Sequence, residues 1–168
     1  LASAEIPTSK YNDAHSLSPI IYGYILAGEE LKALKLAEQL KKSILKEYDY
    51  YTQLTPNEQK LVRRAMATQP YLYSMIVQSV VNGYEKMGKR EKAYEYLIKS
   101  INTIDKRFDT FIKYLQAMGS EKAFYEADAV QKITPFYQYL FEVMRPFDST
   151  YEVEKMQQIE AKIIKATK

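Results

Sequence analysis

Cysteine is absent from this 168-residue chain, and histidine occurs once, at His15. Disulfides, thiol nucleophiles, Cys-His catalysis, zinc-finger spacings and His-rich metal sites are excluded together. Glycine and proline number only 5 and 6, and runs of Val, Ile and Thr are few, so there is little material for strands and hairpins. No apolar run approaches the roughly 20 residues needed to cross a bilayer. The longest, Pro19 to Ala27, is far shorter and carries two tyrosines. An excess of one charge is missing as well: 24 basic and 21 acidic side chains leave a net +3. Their interleaving marks solvated helix surfaces rather than a nucleic-acid footprint. Gly-rich phosphate loops and calcium-loop spacings are lacking. Carboxylate pairs such as Glu29/Glu30 and Glu121/Glu126 fall at expected helix N-terminal turns, where the dipole favours negative charge. No catalytic residue, cofactor or metal is expected, and no nucleic-acid partner. Neither an initiator Met nor a signal segment opens the chain, so Leu1 is expected to begin a processed product or an excised piece.

What is present is a repeated phrase. GYxxxGxxxKA occurs as Gly23, Tyr24, Gly28, Lys32, Ala33 and again, 60 residues on, as Gly83, Tyr84, Gly88, Lys92, Ala93. Each copy follows an apolar stripe at helical spacing, Leu17, Ile20, Ile21, Tyr24 and then Val77, Val80, Val81, Tyr84, and a second stripe follows each. Each copy therefore predicts a helix, a Gly-centred turn and a second helix. With 46% hydrophobic residues the chain has enough apolar material for one domain with a core.

The order and spacing resemble the tetratricopeptide pattern, W-x2-L-G-x2-Y followed by A-x3-F and P. Leu17, Ile20, Ile21, Tyr24 and Ala33 take its places in the first copy; Val77, Val80, Val81, Tyr84, Ala93 and Leu97 take them in the second. A small Ala lets the paired helices approach, the Tyr ring fills the wedge between them, and Gly28 or Gly88 takes the left-handed conformation that ends the first helix. Ile21 and Val81 depart from the usual Gly, and Leu45 and Asp105 from the closing Pro, so the second helix is expected to run past normal length. The resemblance implies an all-α, tetratricopeptide-like αα-superhelix of two hairpins, with inserted and capping helices.

Along the chain, residues 1–15 are polar, contain Pro7 and Asn12-Asp13, and are expected to form an extended arm or loop; 16–168 is expected to be a single helical-repeat domain. Ser18-Pro19 predicts a helix start. Thr55, Pro56 and Glu58 form a capping box that opens an inserted helix to about Thr68. The second hairpin is expected to begin near Pro70 and to stop at Gly119, either continuous or broken near Asp105 or Asp109. A kink or fresh start is expected at Thr134-Pro135, and a second capping box at Ser149 and Glu152. Of the 16 tyrosines, those in pairs two residues apart (Tyr48/Tyr50, Tyr71/Tyr73, Tyr94/Tyr96, Tyr137/Tyr139) are expected to place one ring in the core and one toward solvent.

Gly28, Glu29 and Glu30 leading into Ala33, Ala37 and Glu38, then Lys46, Glu47, Tyr48, Asp49, Tyr50, Tyr51 and Leu54, resemble the C-terminal soluble region of a bacterial membrane-protein family. Its multi-spanning N-terminal region is similar to protein O-mannosyltransferases. The resemblance covers roughly Pro7 to Ser100 and implies a noncatalytic binding or scaffolding domain on the periplasmic face, attached to its own membrane region. A stand-alone, cytoplasmic peptide-binding adaptor is the alternative. The inner groove of such a stack is lined by the first helix of each hairpin, which gives His15, Ser18, Tyr22 and Ile25 from copy one and Met75, Gln78, Asn82 and Glu85 from copy two. A protein or peptide segment is the expected partner, paired by the Gln78 and Asn82 amides and walled by Tyr22. The groove is either open or filled by later helices; oligomeric state is left open.

Overall fold

A computed structural model describes the backbone of residues 2–117 and 122–167, and side chains over 13–113, 116–117 and 131–166. Seven α-helices and no strand occur among the described residues: α1 Ala2–Leu26, α2 Glu30–Thr52, α3 Pro56–Leu61, α4 Arg63–Lys86, α5 Arg90–Ala117, α6 Lys122–Met144 and α7 Tyr151–Thr167. The fold is all-α, as the scarcity of strand formers predicts. Contacts group the residues into two compact units, Leu1–Tyr96 and Leu97–Lys168, where a single domain over 16–168 was expected. The division falls inside α5. Its apolar stripe is continuous, and periodicity alone does not reveal that the helix changes partners midway.

In the first unit, α1 packs on α2 and α4, and α2 packs on α4. The repeated phrase has repeated geometry. Gly28 has φ +80° and Gly88 φ +72°, the left-handed conformation that costs glycine least. In the first turn the Glu29 amide donates to the Tyr24 carbonyl at 2.8 Å and the Gly28 amide to Ile25 at 3.1 Å. In the second, Lys89 donates to Tyr84 at 2.8 Å and Gly88 to Glu85 at 3.0 Å. This is the same Schellman closure twice. Ala33 and Ala93 are both fully buried. α1/α2 and α4 with the start of α5 are thus two hairpins in 60-residue register, called here hairpin one and hairpin two.

Three boundaries differ from the sequence reading. Residues 2–15 are helical, within α1, rather than an extended arm, and Ser18-Pro19 starts nothing. Ala14, Ser18, Ile21 and Ile25 are all buried, an i, i+4, i+7, i+11 stripe that extends the packed face to the N-terminal side of Pro19. Pro19 itself is exposed, so its ring stands clear of the packed side. The capping box forms as expected: the Glu58 amide donates to Thr55 Oγ1 at 3.3 Å and the Thr55 amide to Glu58 Oε1 at 3.0 Å. Yet the helix it opens ends at Leu61, and α4 starts at Arg63 and runs through Pro70. The break sits at Val62, whose ψ is 12°. Gln59 Nε2 donates to the carbonyls of Thr52 and Leu54, which ties α3 to the end of α2 and turns the chain early. Pro70 is buried in a helix held on α1 and α2 by packing, and that burial is set against the lost hydrogen bond.

In the second unit, α5 is continuous through Asp105 and Asp109, and α6 through Pro135, with no fresh start. Asp105 accepts from Tyr137 Oη at 2.6 Å and from Lys155 Nζ at 2.8 Å, so the residue at the expected Pro place joins α5 to both α6 and α7. Lys162 and Asp109 pair at 2.7 Å. Phe108 meets Tyr137 edge to face with centroids 6.4 Å apart, and Tyr137 stacks on Phe141 at 5.9 Å. The second capping box does not form. Glu152 instead receives Arg145 at 3.1 Å, while Asp148 accepts the Thr150 amide and hydroxyl, an Asx turn ahead of α7. The expected stop at Gly119 and the side chains of Glu121 and Glu126 lie outside the described residues.

Candidate functional site

α4 holds Gln78, Asn82 and Glu85 at i, i+4 and i+7, and its other side is packed: Ile76, Val77, Val80, Val81 and Tyr84 are buried. Asn82 and Glu85 are exposed and Gln78 is half-buried. Gln78 Nε2 donates to Asn82 Oδ1 at 2.7 Å, leaving the Gln78 carbonyl as acceptor and the Asn82 amide nitrogen as donor toward an incoming chain. Glu85 pairs with Arg90 across the turn at 2.8 Å. Met75 is half-buried one turn earlier.

On α1 the expected residues divide. Tyr22 is half-buried and His15 exposed, as a groove wall requires. Ser18 is buried and its hydroxyl has no hydrogen-bond partner among the described residues, so it faces the interior. Ile25 is also core, 3% exposed and seated against Gly83 of α4. The reason is register: Ala14, Ser18, Ile21 and Ile25 share one stripe, so Ser18 and Ile25 go to the side that packs. The surviving surface set is His15 and Tyr22 on α1, with Gln78, Asn82 and Glu85 on α4.

The tyrosine pairs sort by face as their spacing predicts. Tyr73, Tyr96, Tyr137 and Tyr48 are buried, whereas Tyr71, Tyr94 and Tyr50 are exposed and Tyr139 is half-buried.

Two polar networks in the first unit were not foreseen. Glu30, in the first turn of α2, accepts from Tyr84 Oη at 2.7 Å and from Lys92 Nζ at 3.0 Å. The Tyr84 hydrogen bond and then the Lys92 bond hold the Glu30 carboxyl below its ordinary value, while burial and the Glu30 bond push the Tyr84 phenol up. Lys41 is 4% exposed; its ammonium donates to Glu38 Oε1 at 3.1 Å and Tyr96 Oη at 3.2 Å. It also lies 4.6 Å from the Tyr96 ring centroid and 5.4 Å from that of Tyr73. Burial lowers the Lys41 pKa against the pull of Glu38. The signal was in the sequence: Ala37, Lys41, Ile44 and Tyr48 fall at i, i+4, i+7 and i+11, so Lys41 belongs to the packed stripe. Both networks join α2 to α4 or α5, which makes them ties between hairpins.

The second unit carries an open apolar groove of about 740 Å³, lined by Phe108, Ile133, Phe141, Met156 and Ile159 among others. No group of three or more His, Asp or Glu converges among the described residues. None of its described helices is long and apolar enough to cross a membrane. No protein-family model, curated protein or solved structure matches the chain.

Proposed function

We propose that the first unit is a noncatalytic, tetratricopeptide-like binding or scaffolding module that holds an extended peptide or partner segment along α4. It would serve as the extracytoplasmic part of a membrane-bound, glycosyltransferase-like protein, as the sequence resemblance implies. The observation that carries the binding reading is the split of α4 into a packed side and a face bearing Gln78, Asn82 and Glu85. Amides spaced one turn apart offer donors and acceptors at the interval an extended backbone presents them, and a helix already held by packing pays no backbone ordering on engagement. Tyr22 adds a ring with a hydroxyl, the side-chain type that anchors peptides at interfaces.

The test is selection of peptides from a displayed random library on the immobilised chain, followed by hydrogen-exchange footprinting of a selected peptide. Protection over residues 75–85 and around Tyr22 is the expected outcome. Recovery of no peptide, or protection elsewhere, overturns the reading.

A further inference from the structure

The 60-residue register gives each residue of hairpin two a counterpart in hairpin one, and the two sets differ in what covers them. Val80 is fully buried, whereas its counterpart Ile20 is 43% exposed. Tyr84 is buried and Tyr24 half-buried. At Gly83 a Cβ would meet Ile25 of hairpin one at 2.9 Å, while at Gly23 nothing lies within 4 Å. A glycine inside a helix is destabilising relative to alanine, and Gly23 has no close neighbour in return.

The polar part of the surface repeats too. The Lys92 ammonium lies 5.9 Å from the Tyr84 ring centroid, and the Lys32 ammonium 5.9 Å from that of Tyr24. Tyr84 and Lys92 together receive Glu30 of the other hairpin. Lys32 instead meets Glu29, the N-cap residue of its own helix, at 3.2 Å, with the two side chains 66% and 45% exposed. Hairpin one thus carries the receiving half of the joint that unites the hairpins, with no second hairpin seated on it among the described residues.

We infer that this face of hairpin one is a docking surface for a helical hairpin of a partner protein. The partner would carry a branched apolar side chain where hairpin one has Ile25, to lie over Gly23, and a carboxylate where hairpin one has Glu30, to meet Tyr24 and Lys32. A second copy of this chain does not fit. Its hairpin two has Glu85 and Arg90 at those two places, paired with each other at 2.8 Å, and Arg90 would oppose Lys32. Its hairpin one has the right residues, but Ile25 is already against Gly83 and Glu30 already holds Tyr84 and Lys92. The surface is distinct from the α4 face and does not depend on peptide binding there.

The test inserts a copy of residues 13–72 between residues 12 and 13, so that a hairpin of the stated chemistry precedes hairpin one by the same 60 residues. Because the chain has no cysteine, Ile20→Cys in the original hairpin supplies a unique thiol. Its maleimide labelling rate is expected to fall at least tenfold when the extra hairpin is present. Gly23→Ala in the original hairpin should raise the rate part of the way back toward that of the parent chain, and Ile25→Asp in the added copy should restore it. Gly23→Ala in the parent is the folding control and should melt no lower than the parent, since the space is open. An unchanged labelling rate overturns the proposal, as does a slowed rate that neither substitution restores.

Discussion

Ile25 of α1 fills the space beside Gly83 of α4, so closely that a Cβ at position 83 would stand 2.9 Å from the Ile25 Cβ. The atom met is the branch point of Ile25, next to its backbone, and cannot swing away. For Gly83→Ala, a helix-propensity gain of up to about 1 kcal/mol is set against overpacking of about 1–3 kcal/mol, and a net loss is expected. Gly23→Ala, at the counterpart with open space, should gain up to about 1 kcal/mol. Urea melts of the two variants check the contrast; equal effects would contradict the asymmetry between the hairpins.

The two buried alanines report on the repeat itself. Ala33→Leu and Ala93→Leu should each overpack a helix crossing and cost about 1–3 kcal/mol. Chemical denaturation of each variant measures this, and a neutral result at either position would mean that the crossing is looser than its full burial implies.

Lys41 separates the worth of a buried cation from the cost of burying it. Lys41→Met retains much of the side-chain volume, removes the desolvated ammonium and leaves the Tyr96–Glu38 hydrogen bond of 3.0 Å in place. Stability is expected to stay the same or rise by about 1 kcal/mol or more, as when hydrophobes replace buried ions. A loss above about 2 kcal/mol in the same melt would show that the contacts with Glu38, Tyr73 and Tyr96 outweigh desolvation.

Four tyrosines set the alkaline limit. Burial raises the pKa of Tyr51, Tyr84, Tyr96 and Tyr137, and each also hydrogen-bonds a carboxylate. In the unfolded chain they ionise near 10, so above that pH the unfolded state loses protons that the folded state keeps. Their contribution is therefore complete below about pH 10 and declines as pH rises above it. Lys41 acts in the opposite sense, since its lowered pKa makes the unfolded state bind the extra proton up to about 10.4; it offsets part of the decline. Absorbance titration of phenolate should show these tyrosines ionising only together with loss of helical ellipticity. Free ionisation of all 16 tyrosines near pH 10 with the helix signal intact would contradict the burial of these rings.

The helical class, the two Gly turns and the buried alanines were legible because each follows from local chemistry: a 3.6-residue stripe, a left-handed glycine, a small side chain at a crossing. Boundaries at proline were misread, since Ser18-Pro19 and Pro70 look like helix starts while packing carries the helices through both. Ser18 and Ile25 were assigned to the groove by analogy of position, and the buried stripe through Ala14 and Ile21 takes them inward. Gln78, Asn82 and Glu85 fall on one polar side because their neighbours Val77, Val80, Val81 and Tyr84 are apolar, and the structure leaves Asn82 and Glu85 exposed and Gln78 half-buried. The pairings of Glu30 with Tyr84 and Lys92, and of Lys41 with Tyr96, span more than 50 residues of sequence, beyond any periodicity, whereas the place of Lys41 on the packed stripe of α2 is legible from its spacing.

The measurement closest to the central claim is calorimetric titration of a library-selected peptide into the parent chain and into Gln78→Ala/Asn82→Ala, with a thermal melt of both. The expected result is at least tenfold weaker binding by the variant at unchanged melting temperature, because exposed polar positions shift stability by less than about 0.5 kcal/mol. Equal affinity in the two proteins would contradict the assignment of α4 as a binding face, and unfolding of the variant would make those amides part of the structural core.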